Sequence, residues 1–485
     1  MKKRMLLGLV LLTCLALAAF ATGRQQGGAA QSASGVPTVS WWLVGGDSAE
    51  LAECVRLMSD YTEKQIGVRF ELKIAGWGDQ QQRFTTIINS GEYFDIMFDD
   101  LTDYSQRVAQ GAFADLTDLV QSASPKLWNL IPQDIWTGVK IKGRIHAVPT
   151  WKDSAITQWV IWDHRYVTKY NIDITKTDLP SMDRYFRVIK TGEGARFYPY
   201  RISNGASYQP FRNYDTLSAG LAPMGMNLND PNHKVVFTLE QSDVREIFDY
   251  MHRWYQAGII NPDAAVSVED FKGQIFMTAQ GWPGADAVWE AQQGVEQYDI
   301  HQFVGPNLST DSIQGSLNSI STNSRYKTES LKLLELANTD PIFRDMLAYG
   351  IEGRHFNYVT RPSGSSTGVI KKINTNWPLS AYQHATFFSM STTDDQPPDQ
   401  WQKVRENDAT AKPSSILGFS LDRASILNEL TNCRQVWDRY SKELLSGTSD
   451  PAVVIPQIKR DLEAVGFAKV LAESQRQVDE FLRTK

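Results

Sequence analysis

The chain has 485 residues, 42% hydrophobic and 21% charged, which leaves room for two or three folding units with large cores and excludes a tail or a short peptide. Its formal net charge is −6, and −9 once Lys2, Lys3 and Arg4 are set aside with a leader, so a polyanion such as nucleic acid is excluded as a partner. Its 14 Trp and 18 Tyr exceed what packing needs and point to a stacking surface.

The start, MKKRMLLGLVLLTCLALAAFATG, has a basic end, an apolar run from Met5 to Phe20 and small residues at Ala19 and Ala21, the pattern of an export signal over residues 1–21. Two maturations stay open: cleavage after Ala21, giving a secreted protein, or lipid attachment at Cys14, giving a membrane anchor. No later stretch approaches 18 apolar residues, so the mature protein is expected to be soluble. Residues 22–36, TGRQQGGAAQSASGV, have the Gly, Ala, Gln and Ser content of a flexible spacer. Cys54 and Cys433 are read as buried free thiols.

Folding is predicted to begin at TVSWWLVGG, a strand, followed by a helix over 48–64 and an alternating second strand in VRFELKIAGW. Asp79 is placed to cap the next helix, with Gln82 completing a capping box and Gly91 ending it. FDIMFDD reads as a third strand, and the βαβ succession implies an α/β fold with a parallel sheet covered by helices. Lys142 and Gly143 make a tight turn between short strands that end at Pro149. Beyond lies a second α/β block, including an amphipathic helix with Val244, Ile247, Phe248, Met251 and Trp254 on one face. Short strands near HQFVGP and SLNSIST precede helices over 327–349, and the chain is helical again from Ala424.

Asp99 and Asp100 end the third strand, where ligands bind in open parallel sheets, and Asp99 is the one expected to face a ligand; the bland alternative is a helix cap near Leu101. The seven His are scattered, with no HExxH, paired Cys or EF-hand loop, so no metal and no other cofactor is expected. Adjacent aspartates project to opposite faces of a strand, which suits neither glycosidase spacing, and no nucleophile elbow or phosphate loop occurs; no catalytic residue is assigned. Of Trp42, Trp77, Trp151, Trp282 and Trp377, several fall just past strands beside Gly or Asp, where an indole face can meet a sugar ring. With Asp79, Lys152 and Asp286 beside them they are the expected ligand-binding set; at least two of Trp77, Trp151, Trp282 and Trp377 should touch the ligand. Trp136 and Trp254 are assigned to the core.

The order of elements, with FDIMFDD, GAFADLTDLV and above all KGRIHAVPTW, resembles the bacterial extracellular solute-binding proteins of ABC importers, in the oligosaccharide-binding group. LELANTDPIFRDMLAYGIEGRHF and the stretch from ILGFSLDRASILNEL to the end are similar to the lipoprotein-type subgroup with its characteristic C-terminal domain. The likeness covers most of the mature chain and is weakest over 191–225 and 360–412. It implies a two-lobe periplasmic-binding fold of the type II kind, with a first lobe from 37–153 and about 301–350, a second from 154–300, and a mainly helical 351–485 completing them. It also implies a monomer that captures an oligosaccharide or related polar solute in the inter-lobe cleft and delivers it to ABC permease subunits in the membrane. A peptide or amino-acid carrier, or a sensor subunit, is the alternative binding reading; a secreted carbohydrate-active enzyme is the rival from another class. Lys142 and His146 depart from the Asp and Tyr common in the family's turn, which puts ligand contacts near it in question.

Overall fold

Residues Thr38–Val44 are β-branched or aromatic almost throughout and buried on both faces, as the inner strand of a parallel sheet requires. The computed structural model describes residues 35–46, 48–203, 207–374 and 376–485; the expected export signal, Cys14 and the spacer up to residue 34 lie outside them. Strand 38–44 pairs in parallel with Arg69–Ala75 and with Ile96–Asp99. Helices Leu51–Ile66 and Gln80–Ser90 connect the three, ending at Gly67 and Gly91 in the left-handed conformation that glycine adopts without strain. Asp79 occupies the N-cap position of the second helix, but its side chain makes no capping bond; the expected capping box does not form.

The sheet continues with Leu317–Ile320 and then Ala147–Pro149, giving the order 69–75, 38–44, 96–99, 317–320, 147–149. Strand 317–320 runs antiparallel to both neighbours, with Leu317 opposite Asp99 and Pro149. All carboxyl ends of the parallel strands therefore lie on one edge, together with the segments 150–155 and 309–316 that adjoin Pro149 and Leu317. Trp41 and Trp136 are wholly buried in this first core with Phe70, Phe84 and Phe343.

The second lobe has a four-stranded sheet in the order Phe276–Gln280, Ile156–Asp163, Tyr298–Leu308, Lys412–Pro413. Its first three strands are antiparallel. One face packs on helices Leu179–Glu193 and Ser242–Gln256 through Trp162, Phe186, Trp254 and Phe276; the other packs on helix Asp286–Gln293 through Trp159 and Trp289. Because His301 pairs with Val160 inside this sheet, the return to the first lobe falls after Leu308, not near residue 301.

A third core corrects the expected boundaries further. Strands Tyr214–Asp215, Met224–Asn227 and Val235–Phe237 form their own sheet and pack against helices Leu427–Leu445, Pro451–Ala464 and Phe467–Thr484. Each of these helices has one apolar stripe, and the small sheet supplies the surface that buries it. Residues 351–413 are not mainly helical: Phe356–Thr360, Val369–Lys372 and Thr392–Thr393 make a three-stranded sheet, Leu379 and Ala385 enter the first core, and only Gln400–Ala409 is a long helix there. Cys54 and Cys433 are buried free thiols in separate cores. Three segments thus cross between the lobes: 150–155, 309–316 and 394–411.

Candidate ligand cleft

The carboxyl edge of the first sheet carries the candidate site. Trp77 follows strand 69–75 and is 52% exposed. Its ring lies 6.5 Å from that of Tyr382, tilted by 32°, and Phe98 meets Tyr382 edge-on at 6.1 Å. Asp100 stands close enough that its charge, after burial, raises the Tyr382 phenol pKa. The result is a two-ring apolar shelf with a carboxylate at its border.

Tyr382 is held by backbone clamps drawn from the whole first lobe. Gln383 accepts from Val44 N–H at 2.9 Å and donates to Val44 C=O at 2.8 Å, continuing the sheet where strand pairing ends. Ser316 Oγ donates to Tyr382 C=O at 2.7 Å, and Asn318 Nδ2 donates to Gln383 C=O at 2.9 Å. The wholly buried Arg344 donates to the carbonyls of Thr386 at 2.7 Å, Ala381 at 2.8 Å and Ala385 at 3.2 Å. Burial lowers its pKa to about 10, so it remains a cation at neutral pH.

The two aspartates divide. Asp99, expected to face the ligand, is 2% exposed. It accepts from Arg107 Nη1 at 2.6 Å and from Asp100 N–H at 2.9 Å. Burial pushes its pKa up to about 7, against the pull of Arg107. Arg107 also bonds Gln81 and Asp103, so Asp99 ties the end of the strand to helix Tyr104–Ala109. Asp100 is half-buried and accepts from Thr102 N–H at 2.9 Å, the local turn bond of the cap reading. It is Asp100 that borders the shelf.

Among the other expected residues, Trp42 is buried against Phe84, with Arg83 5.1 Å over its ring, and offers no face to a ligand. Asp79 is exposed beside Trp77. Trp377 packs on His355 at 5.2 Å and donates to Leu347 C=O at 3.0 Å, so its polar edge is spent inside the first lobe. Trp151 is buried, with Phe388 edge-on at 4.4 Å and Arg405 5.2 Å over its ring. Lys152 pairs with Asp153 at 2.6 Å, which neutralises the one cation the sequence offered a charged ligand. Trp282 is half-buried and packs both on the Trp159 and Trp289 cluster and on the cluster of Met390, Trp401 and Val404. Asp286 lies half-buried in the first turn of the helix that follows. The structure therefore draws Trp151 and Trp282 into one aromatic seam at the joint of the lobes, sets Trp77 on the shelf, and removes Trp42, Asp99 and Trp377 into packing.

Tyr382 escaped sequence reasoning. Its partners Ser316, Asn318, Arg344 and Val44 are remote in sequence, and no local period marks it. A second feature, Glu50, Cys54 and His355, brings three metal-ligating atoms within 4.8 Å of one another. His355 Nδ1, however, accepts from Ile351 N–H at 3.0 Å and Nε2 faces Glu50 at 3.2 Å. The ring proton then sits on Nε2 and neither ring nitrogen keeps a lone pair for an ion; the trio bridges two segments. The residues that depart from the family turn are also structural. Lys142 and Gly143 have φ of 50° and 79°, Lys142 pairs with Asp422 at 3.1 Å, and His146 bonds the Ala114 carbonyl at 3.1 Å.

Residues 56–353 match the family of bacterial extracellular solute-binding proteins, and residues 415–483 match a domain of unknown function. A carbohydrate ABC transporter substrate-binding protein of Streptococcus pneumoniae is 27% identical over 459 residues, 93% of this chain and 92% of that one. The N-glycan transport solute binding protein of the same organism has a crystal structure that superposes with a TM-score of 0.83 at 25% identity, over 92% of this chain and 99% of that one. Its complex with Man5GlcNAc superposes with a TM-score of 0.72 at 25% identity, over 93% and 99%. An HMO-binding, ABC-transporter-associated solute binding protein from Bifidobacterium longum infantis shares the fold, with a TM-score of 0.65 at 15% identity, over 93% and 100%.

Proposed function

The chain belongs to the bacterial extracellular solute-binding proteins, and from that premise we propose that it captures an oligosaccharide between its lobes and hands it to an ABC permease, acting as a monomer and making or breaking no bond. The observation that carries this reading is the Trp77 and Tyr382 shelf bordered by Asp100. An apolar ring face suits the C–H face of a pyranose, and a carboxylate accepts from its hydroxyls. The likeness to carbohydrate-binding relatives supports the same class of ligand.

Binding follows from the geometry. A sugar ring placed on the shelf meets the first lobe only; closure about the three crossing segments adds contacts from the second lobe, with the loop at Trp282 and Asp286 the nearest candidate. Since only the closed state makes both sets of contacts, ligand shifts the population toward it. Lys152, the cation that the sequence offered to a peptide carboxylate, is neutralised by Asp153, which favours sugar over peptide. Titration calorimetry with a panel of oligosaccharides containing mannose and N-acetylglucosamine, and with short peptides, tests this. We expect heat from at least one oligosaccharide and none from the peptides; the converse pattern would overturn the reading, and release of a cleaved product would replace it with catalysis.

A further inference from the structure

Helix Gln400–Ala409 turns Trp401, Val404, Arg405 and Asp408 inward, the i, i+3, i+4, i+7 set of one helical face. The helix lies in the crossing segment 394–411, and Gln400 ties it to the second lobe by donating to Pro283 C=O at 2.9 Å. Trp401 and Val404 share a cluster with Trp282 of the second lobe and with Ala381 and Phe388 of the segment that carries Tyr382. Arg405, next to Val404, is thus placed at the joint of the lobes, between the segment of the shelf and the loop at Trp282.

The Arg405 guanidinium lies 5.2 Å from the centre of the Trp151 ring and 4.8 Å from that of Phe388, and two ring faces hold a planar cation in place. Of the arginines whose pKa burial lowers, Arg212, Arg344, Arg423 and Arg434 each donate to a backbone carbonyl. Arg405 differs. Among the described residues it makes no hydrogen bond and no ion pair, and no carboxylate offsets the effect of burial on its pKa. Nε is enclosed, so the accessible edge of the fork is Nη1 and Nη2. The carboxylates nearest along the chain are engaged elsewhere: Asp153 pairs with Lys152 at 2.6 Å, and Asp408 accepts from Ala155 N–H at 3.3 Å.

A guanidinium keeps its charge at neutral pH, and a half-buried charge is normally paired. Two parallel Nη donors on a fixed plane match a carboxylate, which they grip by two bonds at once. The Trp151 and Phe388 rings beside them suit the apolar face of a pyranose. A peptide fits less well, because its α-ammonium finds no free carboxylate here. The net charge of −6 opposes an anion only at long range, where salt screens it within about 8–10 Å.

We propose that Arg405, held between Trp151 and Phe388, is a specificity-determining contact for a carboxylate on the bound oligosaccharide, so that the ligand is an acidic sugar carrying a uronate or sialate unit. The proposal rests on the solute-binding reading above and narrows its ligand.

An array of neutral, uronate-bearing and sialylated oligosaccharides, probed with the full mature chain, finds the strongest carboxylated glycan and tells the two acids apart. Calorimetry then compares that glycan with its carboxylate methyl ester, in wild type, Arg405→Gln and Arg405→Lys, with melting temperatures measured for each. The acid should bind wild type at least tenfold more tightly than the ester. Arg405→Gln should remove that preference while leaving ester affinity within about threefold, and Arg405→Lys, which keeps the charge without the fork, should restore part of it. A purely structural role would lower both affinities together and overturns the proposal. If Arg405→Gln does not fold, wild type decides alone: acid binding must weaken at least threefold from 50 to 500 mM NaCl while ester binding does not. Equal affinity for acid and ester, or tighter binding of an acidic peptide, also overturns it. Binding of neutral glycans alone overturns it and leaves the proposed function intact, whereas no binding of any oligosaccharide is the failure of that function itself.

Discussion

Trp377 gives its Nε1–H to the Leu347 carbonyl and its ring to His355, whereas Trp77 keeps a ring face in solvent. Both indoles sit in turn-like stretches, Trp77 beside Gly and Asp and Trp377 beside Asn and Pro, so sequence alone could not separate them; the separating fact is a carbonyl 30 residues away. Trp77→Ala should weaken oligosaccharide binding by about 1–3 kcal/mol, since the sugar no longer covers an apolar ring, with little change in melting temperature because the indole is half exposed. Trp377→Ala should do the reverse, costing about 2 kcal/mol or more of stability through a packing defect and an orphaned carbonyl, with affinity unchanged in the folded fraction. Calorimetry and denaturant unfolding on the pair check this, and equal losses of affinity in both variants would dissolve the distinction. The aspartates teach the same lesson. Strand alternation separates Asp99 from Asp100, but which of them meets Arg107 depends on a helix that begins at Tyr104, and the burial of Asp99 runs against the expectation that it faces a ligand.

The segment around Tyr382 and the crossing at 150–155 are the elements that set the cleft. Gln383 replaces a missing strand neighbour for Val44 by making both bonds a backbone would make, so Gln383→Ala leaves a buried N–H and C=O unpaired. We expect a loss of about 1–3 kcal/mol per orphaned group and weaker binding, because Tyr382 is the preceding residue; retention of wild-type affinity would show that the shelf does not need this clamp. At the crossing, Asp408 accepts from Ala155 N–H at 3.3 Å. Burial, with Asp153 adding repulsion, raises its pKa from the ordinary 3.8 to about 7. A carboxyl whose folded pKa exceeds its unfolded value binds its proton more tightly in the folded state. Its stabilising contribution is therefore full below pH 3.8 and is lost as pH rises through about 7. Asp99, Asp215 and Asp345 are raised in the same direction, so the contribution of these carboxyls should decline across this window, against the opposite contribution of buried His384, whose pKa burial lowers. Asp408→Asn should flatten part of that decline in denaturant melts taken from about pH 4 to 8, and an unaltered slope would clear Asp408 of the effect. Neither clamp was legible from sequence: the βαβ succession and the long amphipathic helices follow from period and caps, while a clamp built from Gln383 and Val44, or a carboxyl on helix 400–409 reaching residue 155, leaves no periodic trace.

The molecule as a whole is three cores joined by crossing segments, and the third decides how the C-terminal helices should be regarded. Their sequence suggested elements that complete the lobes, yet Val436, Ile458 and Val470 share a core with Met224, Met226 and Leu239 from the middle of the chain, and Arg423 donates both to Ser218 C=O and to Thr102 C=O in the first lobe. Ending the chain at residue 424 would therefore bare the small sheet's apolar face instead of trimming a tail, and such a truncation should be insoluble or molten, as circular dichroism and dye binding would register. The same arrangement constrains closure. Segments 150–155 and 309–316 join the first and second lobes, and the short strand Lys412–Pro413 ties the segment before the third core to the second sheet. The third core thus has anchors on both lobes, through Arg423 and Lys142–Asp422 on the first and through strand 412–413 on the second. Hinge closure must either break the surface contacts with the first lobe or pivot about them. Solvated pairs such as Lys142–Asp422 are worth about 0–1 kcal/mol each, less than a bound oligosaccharide supplies by gripping both lobes, so they should yield. Small-angle scattering with and without a binding oligosaccharide should show a smaller radius of gyration in the ligand-bound protein. Lys142→Ala should leave the bound radius unchanged and, if the pair restrains the open state, tighten binding by less than about tenfold. A radius that does not change with saturating ligand would mean that the lobes are already fixed and that affinity comes from the first-lobe shelf alone.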